Sequence, residues 1–217
     1  MTQGATLVAA VFASGGGSNL QALLDHQEGD TPWRIGLLVS DREGAGALAR
    51  AEAAGVPTRV IPTKGRDPHD VAVETLEALE DHGAQVIFLA GYLKLLPAPV
   101  VRAFAGRMIN IHPALLPSFG GKGMWGMHVH RAVLESGARL SGPTVHLVDE
   151  EYDRGAILAQ WPVPVLPGDS PEALAARVLE VEHWLYPMAA DHLCRALLQG
   201  HQPGPWASPG ETFTLVP

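Results

Sequence analysis

"TLVAAVFASGGGSNLQALLDHQ", residues 6–27, decides the fold class. Residues 6–14 form a nearly unbroken apolar run, the pattern of a strand buried on both faces. Three glycines follow, and then apolar residues at helical spacing over 18–27. A strand, a glycine turn and a helix in that order open a parallel α/β sheet.

The same alternation repeats outward. Strands are predicted at 33–40, 58–62 and 84–92, with helices at 44–55 and 67–83 between them. Asp67 is placed to cap the second of these helices, with Pro68 in its first turn. Past residue 106 the pattern changes. Strands are expected at 107–113, 141–149 and 156–165, with a Gly-rich loop at 114–127 and a short helix at 129–137. A long helical stretch spans 170–200, capped by Ser170, and Pro187 should break or kink it. We therefore expect a mostly parallel twisted sheet of about seven strands, flanked by helices, with a Rossmann-like N-terminal half. The chain reads as one domain, 1–217. Residues 1–106 form a phosphate- or nucleotide-binding half, 107–200 a catalytic half, and 201–217 an extended tail. Ligands on such sheets bind beyond the carboxyl ends of the strands.

Composition narrows the partners. At 47% apolar and 18% charged, the 217-residue chain is globular. A net charge of -8 argues against a broad nucleic-acid surface, so an anionic ligand must be held by backbone amides, a helix N-terminus or a few chosen cations. The single cysteine, Cys194, allows no internal disulfide and sits in an apolar helical pattern as a buried thiol. The N-terminal apolar run lacks a basic flank and is too short to span a membrane, so we expect a cytoplasmic protein.

The glycine loop alone leaves three readings open. Gly15 and Gly17 match two glycines of a dinucleotide fingerprint, but Leu20 stands in the third slot; Asp41 lies about where a ribose-binding acid would. A single phosphate needs only the loop amides, Ser18, Asn19 and the helix N-terminus. A plain strand–helix turn is the third reading.

Chemistry enters with "MINIHPALLP", 108–117. Asn110 and His112 are two apart on a predicted strand and so share a face. Alone they read equally well as a hydrogen-bonded core pair, and Asp153 in "DEEYDRGAI" as a turn residue. Together, an amide donor, an imidazole and a carboxylate suit acyl or formyl transfer by direct amine attack. Asn and His can donate to an oxyanion, and Asp can orient the His, raise its pKa and accept a proton through water. No activated-nucleophile motif is present. His128 and His130 lack a metal-ligand pattern and are given a loop and helix-start role.

These stretches resemble the phosphoribosylglycinamide formyltransferase family of de novo purine synthesis. The resemblance runs from "VFASGGGSNLQALL" through "LAGYLKLL", "MINIHPALLPSFGGKGMWG" and "GPTVHLVDEEYDRGAILAQ" to "ARVLEVEHWLYP". "NIHPALLP" with a downstream D-x-G is shared by the wider folate formyltransferases; the Gly-x-Gly-Ser-Asn loop and "EHWLYP" narrow the branch. The resemblance implies catalysis by Asn110, His112 and Asp153, with His146 beside them. It implies ribonucleotide and phosphate binding by Gly15, Gly16, Gly17, Ser18, Asn19, Arg66 and Glu182, although Gly16 replaces an Asn found in some members. It implies that Tyr92, Leu93, Lys94, Leu95 and Leu96, with Asn110, hold the folate, and that 118–128 is a flexible loop over it.

The implied reaction moves a formyl group from 10-formyltetrahydrofolate to glycinamide ribonucleotide, without metal, nucleic acid or membrane, in a monomer or homodimer. A formyltetrahydrofolate hydrolase would be expected to carry an added N-terminal domain, and a methionyl-tRNA formyltransferase a C-terminal one with a basic surface. A non-catalytic nucleotide-binding module using Asp41 is the rival outside the enzymes.

Overall fold

The computed structural model describes residues 5–206, so the 207–217 part of the expected tail lies outside the described residues. The elements in order are β1 (Leu7–Phe12), α1 (Ser18–His26), β2 (Trp33–Ser40), α2 (Gly46–Ala53), β3 (Thr58–Val60), α3 (Pro68–Asp81), β4 (Val86–Leu89) and α4 (Ala98–Ala103). They continue with β5 (Met108–His112), α5 (Met127–Glu135), β6 (Leu140–Ser141), β7 (Thr144–Leu147), β8 (Ile157–Gln160), β9 (Val163–Pro164) and α6 (Pro171–Leu198).

Seven strands make the main sheet in the order β3-β2-β1-β4-β5-β7-β8. The first five are parallel; β7 then runs antiparallel to β5, and β8 antiparallel to β7. The unbroken apolar run of β1 follows from this position at the sheet centre. Ala9 and Val11 pack into one core with α1, α2 and α6, while Ala10 and Phe12 pack into another with α3 and α4. Both faces are dry, so no polar alternation survives.

Asp67 caps α3 as expected, its carboxylate accepting from the His69 N–H at 2.7 Å. Three expectations need correction. The strands predicted at 141–149 and 156–165 are each split, at Pro143 and Pro162, because proline cannot donate to a ladder. The outer pieces, β6 and β9, leave the main sheet and pair with each other. A short helix, α4, occupies a stretch where no element was predicted, opened by Pro97. Pro187 does not break α6, which runs 28 residues. Leu185, Tyr186, Ala189, Ala190 and Leu193 on its inner face are fully buried. That burial outweighs one lost backbone hydrogen bond.

Tyr186 also ties the helix to the sheet: its hydroxyl lies 2.9 Å from the Leu89 carbonyl and 3.2 Å from that of Ile109. Leu89 ends β4, and Ile109 directly precedes Asn110 on β5.

Candidate active site

Asn110 and His112 do share a face of β5, and β7 brings a third polar residue to them. Asn110 stands opposite His146 in the antiparallel register, and His112 opposite Thr144. The His146 Nδ1–H donates to the Leu147 carbonyl at 2.8 Å, which leaves its Nε2 as an acceptor for the Asn110 amide at 3.1 Å. That bond orients the Asn110 amide and leaves its second N–H for another acceptor.

Asp153 reaches the pair from the loop between β7 and β8. Its carboxylate lies 3.6 Å from His112 Nδ1 and 3.6 Å from His146 Nε2. Gly155 permits this approach, because a side chain there would collide with the Leu147 carbonyl. Asp153 itself takes a left-handed backbone, φ 56°, which Asp tolerates better than most residues. Its other carboxylate contact is the Gly121 N–H, at 2.8 Å, which fastens the 118–128 loop to the site.

His112 is almost wholly buried. Its Nε2 meets the Phe119 carbonyl at 2.8 Å. Phe119 holds φ 57°, a strained value for a bulky residue, and turns that carbonyl toward the imidazole. The sequence leads one to expect that Asp153 raises the His112 pKa. Burial is the larger influence and holds His112 below its ordinary value, although Asp153 and the Phe119 carbonyl push upward. In Asp153 burial also favours the neutral form, but His146, His112 and the Gly121 N–H outweigh it and keep the carboxyl below its usual range. Burial thus favours the neutral form of His112, while its neighbours favour the carboxylate form of Asp153.

These groups open into a cleft of about 680 Å³. Tyr92, Leu93, Lys94, Leu95 and Leu96 line it, with Leu93 and Leu95 partly exposed. Asn19 and Glu182 line it too. They bond to each other, Asn19 Nδ2 to Glu182 Oε2, at 2.7 Å. Burial raises the Glu182 pKa to about 7, against the Asn19 amide, which favours the charged form. Asn19 Oδ1 is buried without a hydrogen-bond partner among the described residues.

The other expected residues lie apart. Gly17 caps α1 with φ 77°, and no side chain caps that helix. Gly15 and Gly16 are exposed and face open space. Ser18 lines a second cavity of about 520 Å³ beside the cleft. Arg66 lines neither cavity and is ion-paired with Glu74 at 2.6 Å. Asp41, the residue of the dinucleotide reading, is bound by Arg42 through two hydrogen bonds.

Sequence reasoning missed three contributors. The Phe119 carbonyl is a backbone group and leaves no residue signature. Thr144 donates to the Ala114 carbonyl at 2.7 Å and accepts from the Leu116 N–H at 3.0 Å, pinning the exit loop of β5. His130 lies at the start of α5 as expected, but it is also buried in the cleft wall, and its Nδ1 has no hydrogen-bond partner among the described residues. Its place on the helix face beside Val129 and Val133 was the available signal.

Comparison with known proteins bears on this geometry. The pattern of the formyl transferase family matches residues 8–190. A chloroplastic phosphoribosylglycinamide formyltransferase of Arabidopsis thaliana is 46% identical over 90% of this chain and 68% of its own length. A phosphoribosylglycinamide formyltransferase structure from Brucella melitensis is 43% identical, with TM-score 0.80 over 87% of this chain and 96% of that one. A glycinamide ribonucleotide transformylase structure from Symbiobacterium toebii is 37% identical, with TM-score 0.82 over 90% of each chain. With the family's pattern across most of its length and the fold of its solved members, this chain belongs to the formyl transferase family.

Proposed function

We propose that this protein transfers the formyl group of 10-formyltetrahydrofolate to the amine of glycinamide ribonucleotide; the relatives that support this reading are named phosphoribosylglycinamide formyltransferase and glycinamide ribonucleotide transformylase. The observation that carries the reading is the convergence of Asn110, His112 and Asp153 in one cleft that also reaches Glu182 and Asn19. The cleft is large enough for a drug-sized ligand. The strip from Tyr92 to Leu96 supplies the apolar wall and main-chain groups for the folate ring. Glu182, Asn19, Ser18 and the glycine loop receive the ribonucleotide.

The amine nitrogen attacks the formyl carbon, a C–N bond forms, and the carbonyl oxygen becomes an oxyanion. Asn110 offers its free amide N–H to that oxygen, while His146 holds the amide in place. The His112–Asp153 pair takes up the amine proton, with the carboxylate stabilising the imidazolium. The proton then passes, directly or through water, to N10 as the bond from the formyl carbon to N10 breaks. Burial favours the neutral His112 imidazole, the form that accepts a proton.

The test is an absorbance assay for deformylated folate with the purified full chain and a 10-formyl-folate donor, run with and without glycinamide ribonucleotide. Release that depends on the amine is expected. Release at the same rate without it would overturn the reading in favour of a hydrolase.

A further inference from the structure

The glycine loop supplies amides but no positive side chain, and a phosphate ester brings a charge of about -1.5 to -2 at neutral pH. Arg66, the cation that the family resemblance points to, already has its charge matched by Glu74 and lines neither cavity. Three lysine or arginine residues line the two cavities: Lys94, Lys122 and Arg50. Lys94 neighbours the Asp41 carboxylate, and Lys122 lies on the Gly-rich loop that Asp153 fastens.

Arg50 is different. It stands on α2 and lays its guanidinium along the glycine loop. Nε donates to the Gly16 carbonyl at 2.8 Å, and Nη1 donates to Gln21 Oε1 at 3.1 Å. Both acceptors are neutral oxygens, so these bonds fix the fork without cancelling its charge. The side chain is exposed into the cavity that Ser18 also lines. That cavity shares no lining residue with the reaction cleft, but the two meet at neighbouring positions of α1 and α6. Ser18 faces one and Asn19 the other, and His183 and Glu182 divide in the same way. In the proposed reading, a substrate with its amine at Asp153 and its ribose at Glu182 places its far end on the Ser18 and glycine-loop side of Asn19.

We propose that Arg50 is the cation that binds the substrate phosphate, as a specificity-determining residue for the phosphorylated amine over its unphosphorylated counterpart. Gly16 and Gln21 hold the guanidinium in place before the ligand arrives, so little side-chain freedom remains to be lost on binding. The proposal rests on the functional reading above.

The experiment compares glycinamide ribonucleotide with glycinamide ribonucleoside as formyl acceptors, using wild type, Arg50→Gln, Arg50→Lys and Arg66→Gln. The ratio of kcat/KM for ribonucleotide over ribonucleoside should fall about 10- to 100-fold in Arg50→Gln, the loss of one charge-assisted contact. The fall should lie mainly in KM for the ribonucleotide. Arg50→Lys, which keeps the charge and loses the fork, should retain part of the preference, and it keeps the test open if the Gln variant misfolds. An unchanged ratio in Arg50→Gln, with both acceptors impaired alike, would show that Arg50 merely pins the loop and would overturn the inference. So would a fall confined to Arg66→Gln. Failure of the wild type to formylate either amine would instead bring down the functional reading itself.

Discussion

Asn19 and Glu182, 163 positions apart, share a buried hydrogen bond of 2.7 Å that joins the first turn of α1 to the last helix. The start of α1 and the C-terminal helix thus meet in one wall of the cleft, and the state of a single carboxyl affects both. Burial holds Glu182 at about 7, against 4.5 for a free glutamate. Between those values the folded protein keeps a proton that the unfolded chain has lost. Stability contributed by this group is complete below pH 4.5 and falls as pH rises through 7. Glu182→Gln removes the titration. Thermal unfolding from pH 4 to 8 should show the wild type losing ground to the variant as pH rises; parallel curves would contradict the assignment.

Asn110→Ala removes the oriented amide donor. Turnover should drop about 100- to 1000-fold, the usual cost of losing one oxyanion donor, with modest change in KM. Full activity in steady-state assays would sink the role given to Asn110.

His112 should titrate below 6.5 in the free protein, because burial outweighs the nearby carboxylate. Asp153→Asn keeps a side chain that tolerates the left-handed backbone but deletes the charge that pushes His112 upward. The imidazole should then titrate lower still, as read from its ring-proton NMR shifts, and turnover should fall. A rise in the His112 pKa in this variant would refute the electrostatic picture.

Gly17→Ala and Gly15→Ala form a matched pair. A methyl on Gly17 would stand 2.7 Å from Ala47 Cα, on a backbone at φ 77°. The left-handed conformation alone costs about 1–2 kcal/mol, and the clash adds to it. A methyl on Gly15 meets nothing within 4 Å. Chemical denaturation should show a clear loss for the first variant and almost none for the second.

The parallel half of the fold was legible because hydrophobic period and glycine punctuation report burial directly, as β1 and β2 show. The second half was less so. Pro143 and Pro162 divide strands whose apolar pattern runs straight through them, and Pro187 sits in a helix that tertiary packing keeps whole. In the site, the shared face of Asn110 and His112 followed from strand geometry, whereas the approach of Asp153 depended on a turn that spacing alone does not orient. For His112 the sequence names the carboxylate that pushes its pKa upward, but it does not show how little water reaches the ring, which is the larger, opposing influence. Phe119 contributes only a carbonyl, and Arg50 only a position, so neither could be read from residue type.

The pairing of Asn110 with His146 across β5 and β7 makes catalytic competence a matter of alignment. A slip of one residue would set Val145 or Leu147 against the amide and carry His146 to the opposite face of the sheet. The register itself, rather than the length of the segment joining the two strands, is therefore what activity depends on. Insertions or deletions between Pro113 and Pro143 that leave the chain folded would still be tolerated only if they preserved that alignment, and surviving activity would reveal which of them do.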